Sequence, residues 1–315
     1  MSAYDLFIVG RPSVDVMFSD LEQWPALGND IQAAALGVCA GTSFNTPAAA
    51  NRIGLRVAYV AEIGTDVWSR MIREEFEAEG LSTEFLATEN EPLPAVSVAL
   101  NMDGDRGFVS HWPEGDGRMN RRALALLPAV DARHLHAQMD DMPELEVAAR
   151  AQGMTVSLDA FDGASWASPR AVADVMEHAD VLLANEAEAC AMAKTRDADA
   201  ALERLAEHCD CVVIRRGAEG AIGTAGGDVR AVPADPVEAV DTTGAGDCFN
   251  AGFLAGWLSG LPIEHSLALG VICGSGSVTD FGGYRGCPHE DELRSIAAAR
   301  GIDLPGTWEP VEASA

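Results

Sequence analysis

The sequence predicts an α/β fold, a mainly parallel sheet covered by helices on both faces, with a small accessory sheet beside it. Three observations carry this. From Arg121 onward, short apolar runs (His134-Leu135-His136, Thr155 to Leu158, Val181-Leu182-Leu183 and Cys211 to Ile214) alternate with amphipathic helical segments. Two alternating runs, Ala95 to Leu100 and Gly107 to Trp112, flank a short connection holding Asp103-Gly104, a hairpin signal that interrupts the β-α series and stands outside the main sheet. The chain has 315 residues, 48% of them hydrophobic, enough for one large core with an appendage.

Taken in order, Leu6 to Gly10 is a short apolar run read as a buried first strand. Asp15 follows just past its end, where ligands collect in open parallel sheets; a surface turn is the competing reading. Leu36 to Cys39 leads into Ala40-Gly41-Thr42-Ser43-Phe44-Asn45 and a helix over 46–54, with Pro47 in its first turn and Gly54 after its end. Asn45 fits either an N-cap or an amide offered to a ligand. Val57 to Ile63 alternates as a strand, and Gly64-Thr65-Asp66 opens a helix over 67–80. The hairpin, with Ile31 to Val38, forms the accessory sheet, a flap that would cover Asp15 and Asn45 and exclude water.

Two later strand ends carry polar residues that helix packing does not explain, Asp159 and Asn185-Glu186-Ala187-Glu188. Asn185 and Glu188 share a helix face and form either a capping pair or an oxygen-donor pair for a hydrated Mg²⁺. Val212 to Ile222 reads as strand, Gly-bearing turn and strand. Val237 to Val240 reads as a further strand that delivers the chain into Asp241-Thr242-Thr243-Gly244-Ala245-Gly246-Asp247 and an apolar helix. A helix beginning this way aims free backbone N–H groups at one point, and its dipole favours an anion there. Asp247, in the first turn, is a cap or a fixed carboxylate beside that anion. Pro262 starts a second helix, over 263–278, whose Gly274-Ser275-Gly276-Ser277 steps permit close packing on the first. Phe281-Gly282-Gly283-Tyr284 closes it, and beyond Pro288 come a short helix and a Pro-rich acidic tail.

Composition narrows the classes. A formal charge of −28 and a pI near 4.4 argue against nucleic acid as partner. Lys194 is the only lysine and no G-x-x-x-x-G-K-[ST] occurs, which excludes a Walker-type P-loop. Seven cysteines scattered in apolar surroundings read as buried thiols, and Cys209-Asp210-Cys211 lacks zinc-knuckle spacing. No basic leader and no membrane-length apolar run are present in the sequence, so a cytoplasmic protein with no membrane partner is expected.

The Asp241–Asp247 stretch with Cys248-Phe249-Asn250-Ala251-Gly252 resembles the C-terminal signature of the ribokinase-like (PfkB) carbohydrate kinases. Ala40 to Asn45 with Arg52-Ile53-Gly54 resembles that family's N-terminal motif, Asn185 to Glu188 its N-x-x-E motif, and Ile63-Gly64-Thr65-Asp66 its I-G-x-D segment. The resemblance runs from about Phe7 to Tyr284 and implies a three-layer α/β/α sandwich with a small β-sheet lid. It implies a core at 1–11, 46–93 and 115–305, a lid at 12–45 and 94–114, and a tail at 306–315. It further implies transfer of the ATP γ-phosphoryl to a sugar hydroxyl, with Mg²⁺, and a homodimer paired through the lid.

Residue by residue, the resemblance makes Asp247 the base and the backbone of Gly244, Ala245 and Gly246 the anion hole. Asp15, Gly41, Thr42 and Asn45 would hold the sugar; Arg216, Gly217, Gly220 and Thr242, with Asn185, Gly244 and Gly246, the nucleotide. Asn185 and Glu188 would act on Mg²⁺ through water, and Asp241 and Thr243 match where many members bind a monovalent cation such as K⁺. At the N-terminus of a helix Asp247 is expected to stay ionised, a weak base whose placement matters more than its strength.

Departures from the pattern are informative. Ala40 replaces the first Gly, with a narrower sugar pocket or altered lid hinge expected; Ser69 replaces a frequent Gly, with little consequence expected. Asp159-Ala160-Phe161-Asp162 lacks the D-x-N-x-R pattern of keto-sugar acid kinases, and Asp280 and Phe281 replace a common basic residue near the cation loop. A nucleoside kinase shares every motif quoted and would want aromatic walls, for which Phe18, Phe44, Phe108 and Trp112 are candidates. A phosphorylated sugar would need Arg11 and Arg106. A catalytically silent sugar-binding paralogue is the alternative from another class.

Overall fold

A computed structural model describes residues 2–102, 105–113, 117–138, 143–160 and 169–308. The Asp103-Gly104 turn, the Phe161-Asp162 pair and the tail from residue 309 lie outside the described residues. In chain order the strands are β1 (Tyr4–Val9), β2 (Pro12–Leu21), β3 (Ala33–Thr42), β4 (Val57–Ile63), β5 (Leu86–Thr88), β6 (Val96–Met102), β7 (Asp105–His111), β8 (Ala132–Gln138), β9 (Thr155–Asp159), β10 (Val181–Asn185), β11 (Cys211–Arg215), β12 (Ala221–Ala225) and β13 (Asp228–Val232). The helices are α1 (Asn45–Arg52), α2 (Val67–Ala78), α3 (Arg118–Leu126), α4 (Pro143–Ala151), α5 (Pro169–Met176), α6 (Glu186–Met192), α7 (Ala198–Leu205), α8 (Ala245–Leu258), α9 (Ile263–Ser277) and α10 (Glu290–Ala299).

Among the described residues the larger sheet has nine strands in the order β13-β12-β11-β10-β9-β8-β1-β4-β5, parallel except where β12 and β13 turn back. Side chains alternate between its faces, and each set meets its own helix layer. Leu6, Ile8, Tyr59, Leu183 and Val213 join the core shared with α1, α2, α8, α9 and α10. Phe7, Val60, Leu182, Val212 and Ile214 join the one shared with α3, α4, α5, α6 and α7. This is the predicted three-layer α/β/α arrangement. All seven residues of β4 are buried, so its alternation marks two covered faces and not one wet face.

The smaller sheet has the order β3-β2-β6-β7. It pairs β2 antiparallel to β3 and parallel to β6, and β6 antiparallel to β7. The hairpin therefore pairs with β2, and the expected Ile31–Val38 segment, which falls in β3, lies one strand further out.

Two expectations are corrected. Residues 237–240 form no strand: Pro233 and Pro236 lack ladder donors, and Val237 and Val240 are left 43% and 45% exposed in a loop past β13. Ala40 does not narrow the sugar side, because its register with Val14 turns its methyl into the main core. Ser69 also has a use: its hydroxyl accepts from Gly64 N and donates to Asp66, tying the I-G-x-D turn to the α2 N-cap. Gly274 lies against Ala245 of α8 as predicted, whereas Gly276 faces Gly286 and Pro288.

Candidate active site

Helix α8 starts at the C-terminal edge of the larger sheet. Its N-cap, Gly244, has φ +69°, and a Cβ there would lie 2.2 Å from the Gly283 carbonyl oxygen. Only glycine meets both conditions. The first helical bond runs from Cys248 N to Gly244 O (3.0 Å), so the N–H groups of Ala245, Gly246 and Asp247 have no acceptor within the helix.

The Asp247 carboxylate accepts hydrogen bonds from Asn45 Nδ2 (3.2 Å) and Thr46 Oγ1 (2.9 Å), both at the start of α1. Asn45 is therefore not a cap; Phe44 holds the N-cap position, and no side chain caps α1. Burial pushes the Asp247 carboxyl up to about 6, and Asp159 adds to the rise. The bonds from Thr46 and Asn45 and the charge of Arg215 oppose it. The helix dipole alone foretold an ordinary, weakly basic carboxylate; desolvation overrides it and makes the group a better base near neutral pH.

On the smaller sheet, the pairs Ser13↔Gly41 and Asp15↔Cys39 place Ser13, Asp15 and Gly41 on one face. Asp15 is buried, and a Cβ on Gly41 would fall 1.9 Å from its Oδ2. Ser13 Oγ donates to Asp15 Oδ1 (2.9 Å) and shares a 2.8 Å bond with Thr42 Oγ1. Thr42 itself sits at φ +54°. Burial raises the Asp15 carboxyl to about 6, the Ser13 bond lowering it and Asp241 raising it further. Met17, Cys39 and Ala99 form a buried apolar cluster beside Asp15, and the pair Ala99↔Phe108 puts Phe108 on this face, 54% exposed. Phe44 is fully buried between Phe76 and Tyr284, and Phe18 lies on the opposite face with Val14, so neither lines this region. Arg11 is engaged by Glu62 (3.0 Å) and the Pro113 carbonyl. The side chain of Arg106 lies outside the described residues.

At the ends of β10 and β11, Asn185 and Glu188 form a reciprocal capping box. Asn185 Oδ1 accepts from Glu188 N (2.9 Å) and Glu188 Oε2 from Asn185 N (2.7 Å). The capping reading is thus satisfied; Asn185 lines the cavity described below, and Glu188 lies beside Arg215, which also lines it. Among the described residues no group of three or more His, Cys, Asp or Glu side chains is placed to hold a metal directly. Asp241 Oδ1 accepts from Thr243 N (3.0 Å) and Oδ2 from Gly282 N (3.3 Å), which pins the turn before α8 to the loop that covers Gly244.

A cavity of about 630 Å³ runs from Asn185, Arg215, Thr242 and Gly246, past Gly217 and Gly220, to an apolar slot of Pro236, Val237, Phe249, Val271 and Val278. Arg216 does not line it; its guanidinium pairs with Glu219 and approaches Glu186. Sequence reasoning missed Ser13, Thr46, Asn250 and Arg215. Ser13 had a signal, two residues before Asp15 and so on the same strand face. Arg215 had one too, a charge ending the apolar run of β11.

Comparison with known proteins agrees with this fold. The sequence profile described as pfkB family carbohydrate kinase matches residues 33–290. A ribokinase of Bacillus subtilis is 26% identical over 294 residues, covering 93% of this chain and 99% of that one. A nucleoside kinase of Methanothermobacter thermautotrophicus is 26% identical over 310 residues, covering 96% and 98%. The Burkholderia thailandensis nucleoside kinase solved with inosine shares the fold at a TM-score of 0.80 and 18% identity, covering 96% of this chain and 100% of that one.

Proposed function

The chain belongs to the pfkB family of carbohydrate kinases, and from that premise we propose that it transfers the γ-phosphoryl of ATP to a hydroxyl of a sugar, with Asp247 as base. The observation that carries this is the Asp247 carboxylate, held by Asn45 and Thr46 in the first turn of a helix whose unpaired N–H groups border the cavity. The sugar oxygen attacks the γ-phosphorus, the bond to the β–γ bridging oxygen breaks, and the hydroxyl proton passes to Asp247. The transition state for such transfer is loose, so placement and charge stabilisation do most of the work. The N–H groups of Gly244, Ala245 and Gly246 would stabilise charge on the transferring group.

Asp15 and Asn45 would orient substrate hydroxyls, with Gly41 and Thr42 shaping their surroundings. The cavity would take the nucleotide, its phosphates toward Thr242 and Gly246 and its base in the apolar slot. The smaller sheet, in residues 12–45 and 94–114, would act as the lid that excludes water. The oxygen donors of Asn185 and Glu188 fit water-mediated Mg²⁺, which when bound would neutralise phosphate charge. Asp241 and Thr243 would be the place for a monovalent cation such as K⁺; the Asp241 oxygens, like those of Asn185 and Glu188, also accept backbone N–H groups. The lid face turned away from Asp15 leaves Leu36 62% and Val109 67% exposed, which supports a homodimer through the lid, testable by sedimentation. No helix is long and apolar enough to cross a membrane among the described residues.

A nucleoside is the second reading, favoured by the Met17, Cys39 and Ala99 cluster with Phe108 beside Asp15, an apolar surface suited to a planar base. ADP release measured in parallel on ribose, fructose and adenosine, with Asp247→Asn as control, separates the two. Turnover of none of them, or full turnover by Asp247→Asn, would overturn the proposal.

A further inference from the structure

Arg215 is a buried cation on the wall of the cavity. It ends β11 with its side chain only 12% exposed, and burial of a guanidinium is tolerated only where its donors are used. Nη1 donates to Gly246 O (3.2 Å) and Asn250 Oδ1 (2.7 Å); Nη2 donates to Asp159 Oδ1 (2.9 Å) and lies 3.7 Å from Glu188 Oε2. The registers Asn185↔Arg215 and Leu183↔Asp159 show that the side chain crosses over the end of β10 to reach β9. A Cβ on Gly246 would lie 3.1 Å from Nη1, so the guanidinium is seated against the backbone of the anion-hole turn. Asn250 is fully buried, and among the described residues its Nδ2 has no partner, a loss accepted at a position whose oxygen receives Arg215.

We infer that Arg215 is a positioning residue of phosphoryl transfer. Its guanidinium clamps the first turns of α8, through Gly246 O and Asn250, to Asp159 and Glu188 at the sheet edge. The anion-hole N–H groups are thereby held in register with the metal-side carboxylate. The inference rests on the reading of Asp247 as base.

The clamp also frames that base electrically. Among the described residues, the titratable or charged groups facing Asp247 are Asp159 from β9, Arg215 from β11, Tyr59 from β4 and its own neighbour Cys248; α1 contributes the uncharged donors Asn45 and Thr46. Burial pushes Tyr59 and Cys248 up, so both are neutral at physiological pH. His136 of β8 faces Asp159 and Arg215, and burial holds it down to about 4, also neutral. Asp159 raises and Arg215 lowers the proton affinity of Asp247, so these two charges act on it in opposite directions.

The test compares Arg215→Met, Arg215→Lys, Asn250→Ala and Asp159→Asn with the parent and with Asp247→Asn. It measures kcat, the acceptor KM and the pH dependence of kcat/KM. Arg215→Met is expected to lower kcat about 100-fold, the scale of an approximately 1 Å misplacement, with the acceptor KM within about threefold and the acid limb moved to higher pH. Arg215→Lys and Asn250→Ala keep the charge but break the fork or its α8 arm, and should lower kcat with the limb in place. Asp159→Asn should move the limb to lower pH. Arg215→Met and Asn250→Ala both within threefold of the parent kcat would overturn the clamp, as would an Arg215→Met that loses kcat with an unmoved limb. If Arg215→Met does not fold, Asn250→Ala and Asp159→Asn decide by the same criteria. An active Asp247→Asn would refute the base itself, whereas an inactive one beside a fully active Arg215→Met refutes only the clamp.

Discussion

Gly244→Ala tests the construction of the proposed anion hole. The substitution places a Cβ 2.2 Å from the Gly283 carbonyl oxygen and 2.5 Å from its Cα, at a residue whose φ is +69°. Ordinary contact begins near 3.4 Å, so about 1 Å of movement is needed. The Gly283 loop is tied down by Asp241 to Gly282 N and by Arg285 and Tyr284 to Glu75, so the start of α8 has to move instead. Displacing preorganised donors by about 1 Å costs on the order of 10²-fold in kcat, or ~2.7 kcal/mol. Left-handed backbone adds about 1–2 kcal/mol and overpacking about 1–3 kcal/mol to the loss of stability. At roughly 2 cal/mol/K per residue, the sum lowers Tm by about 3–7 °C.

Gly226→Ala supplies the control. Its φ is +56° and no atom lies within 4 Å of the added Cβ, so only the backbone term of about 1–2 kcal/mol applies. Calorimetry and steady-state kinetics on both variants give the comparison. A Gly244→Ala enzyme within threefold of the parent kcat, or an equal loss in Gly226→Ala, would refute the reasoning.

Other outcomes follow from the same geometry. Asp247→Asn should lower turnover about 10²- to 10⁴-fold while calorimetry still detects sugar binding. It should also raise Tm at pH 7.5. The folded carboxyl, near 6, lies above its ordinary 3.8, so ionisation costs folding stability about 1–3 kcal/mol as pH rises from about 4 to 6. That gain should vanish below about pH 4, and a stabilisation that persists there would contradict the assignment. In the proposed reaction Asp15 accepts from substrate hydroxyls and Asp247 takes the proton, and burial raises both carboxyls to about 6, so kcat/KM should fall below that pH with a slope approaching two protons. Gly41→Ala displaces the Asp15 carboxylate and should raise the acceptor KM at least tenfold with the ATP KM little changed, as read in initial-rate assays varying each substrate. Chelation of Mg²⁺ should stop ADP release, and activity in excess chelator would count against Asn185 and Glu188.

Much of the fold is local and was legible. Short apolar strands, amphipathic helices and the Pro262 and Asp66 starts depend on residues within a turn or a pleat of one another, and composition spells those out. Residues 237–240 misled because apolar alternation carries no information on whether a neighbouring strand offers partners, and two prolines had already removed donors. The helix start after Asp241–Gly244 was readable for the same local reason. The Asn185–Glu188 box was readable too, though as a pair with two uses.

By itself, then, the sequence determined the β-α rhythm, the hairpin of the smaller sheet and the helix start at α8. Tertiary structure alone decided which groups that turn meets. Asn45 reaches Asp247 across 202 positions of sequence, and Arg215 reaches Asn250 and Asp159 from a third strand end. The proton affinity of Asp247 depends on those meetings, because desolvation and charge act through space over a few ångströms and take no account of distance along the chain.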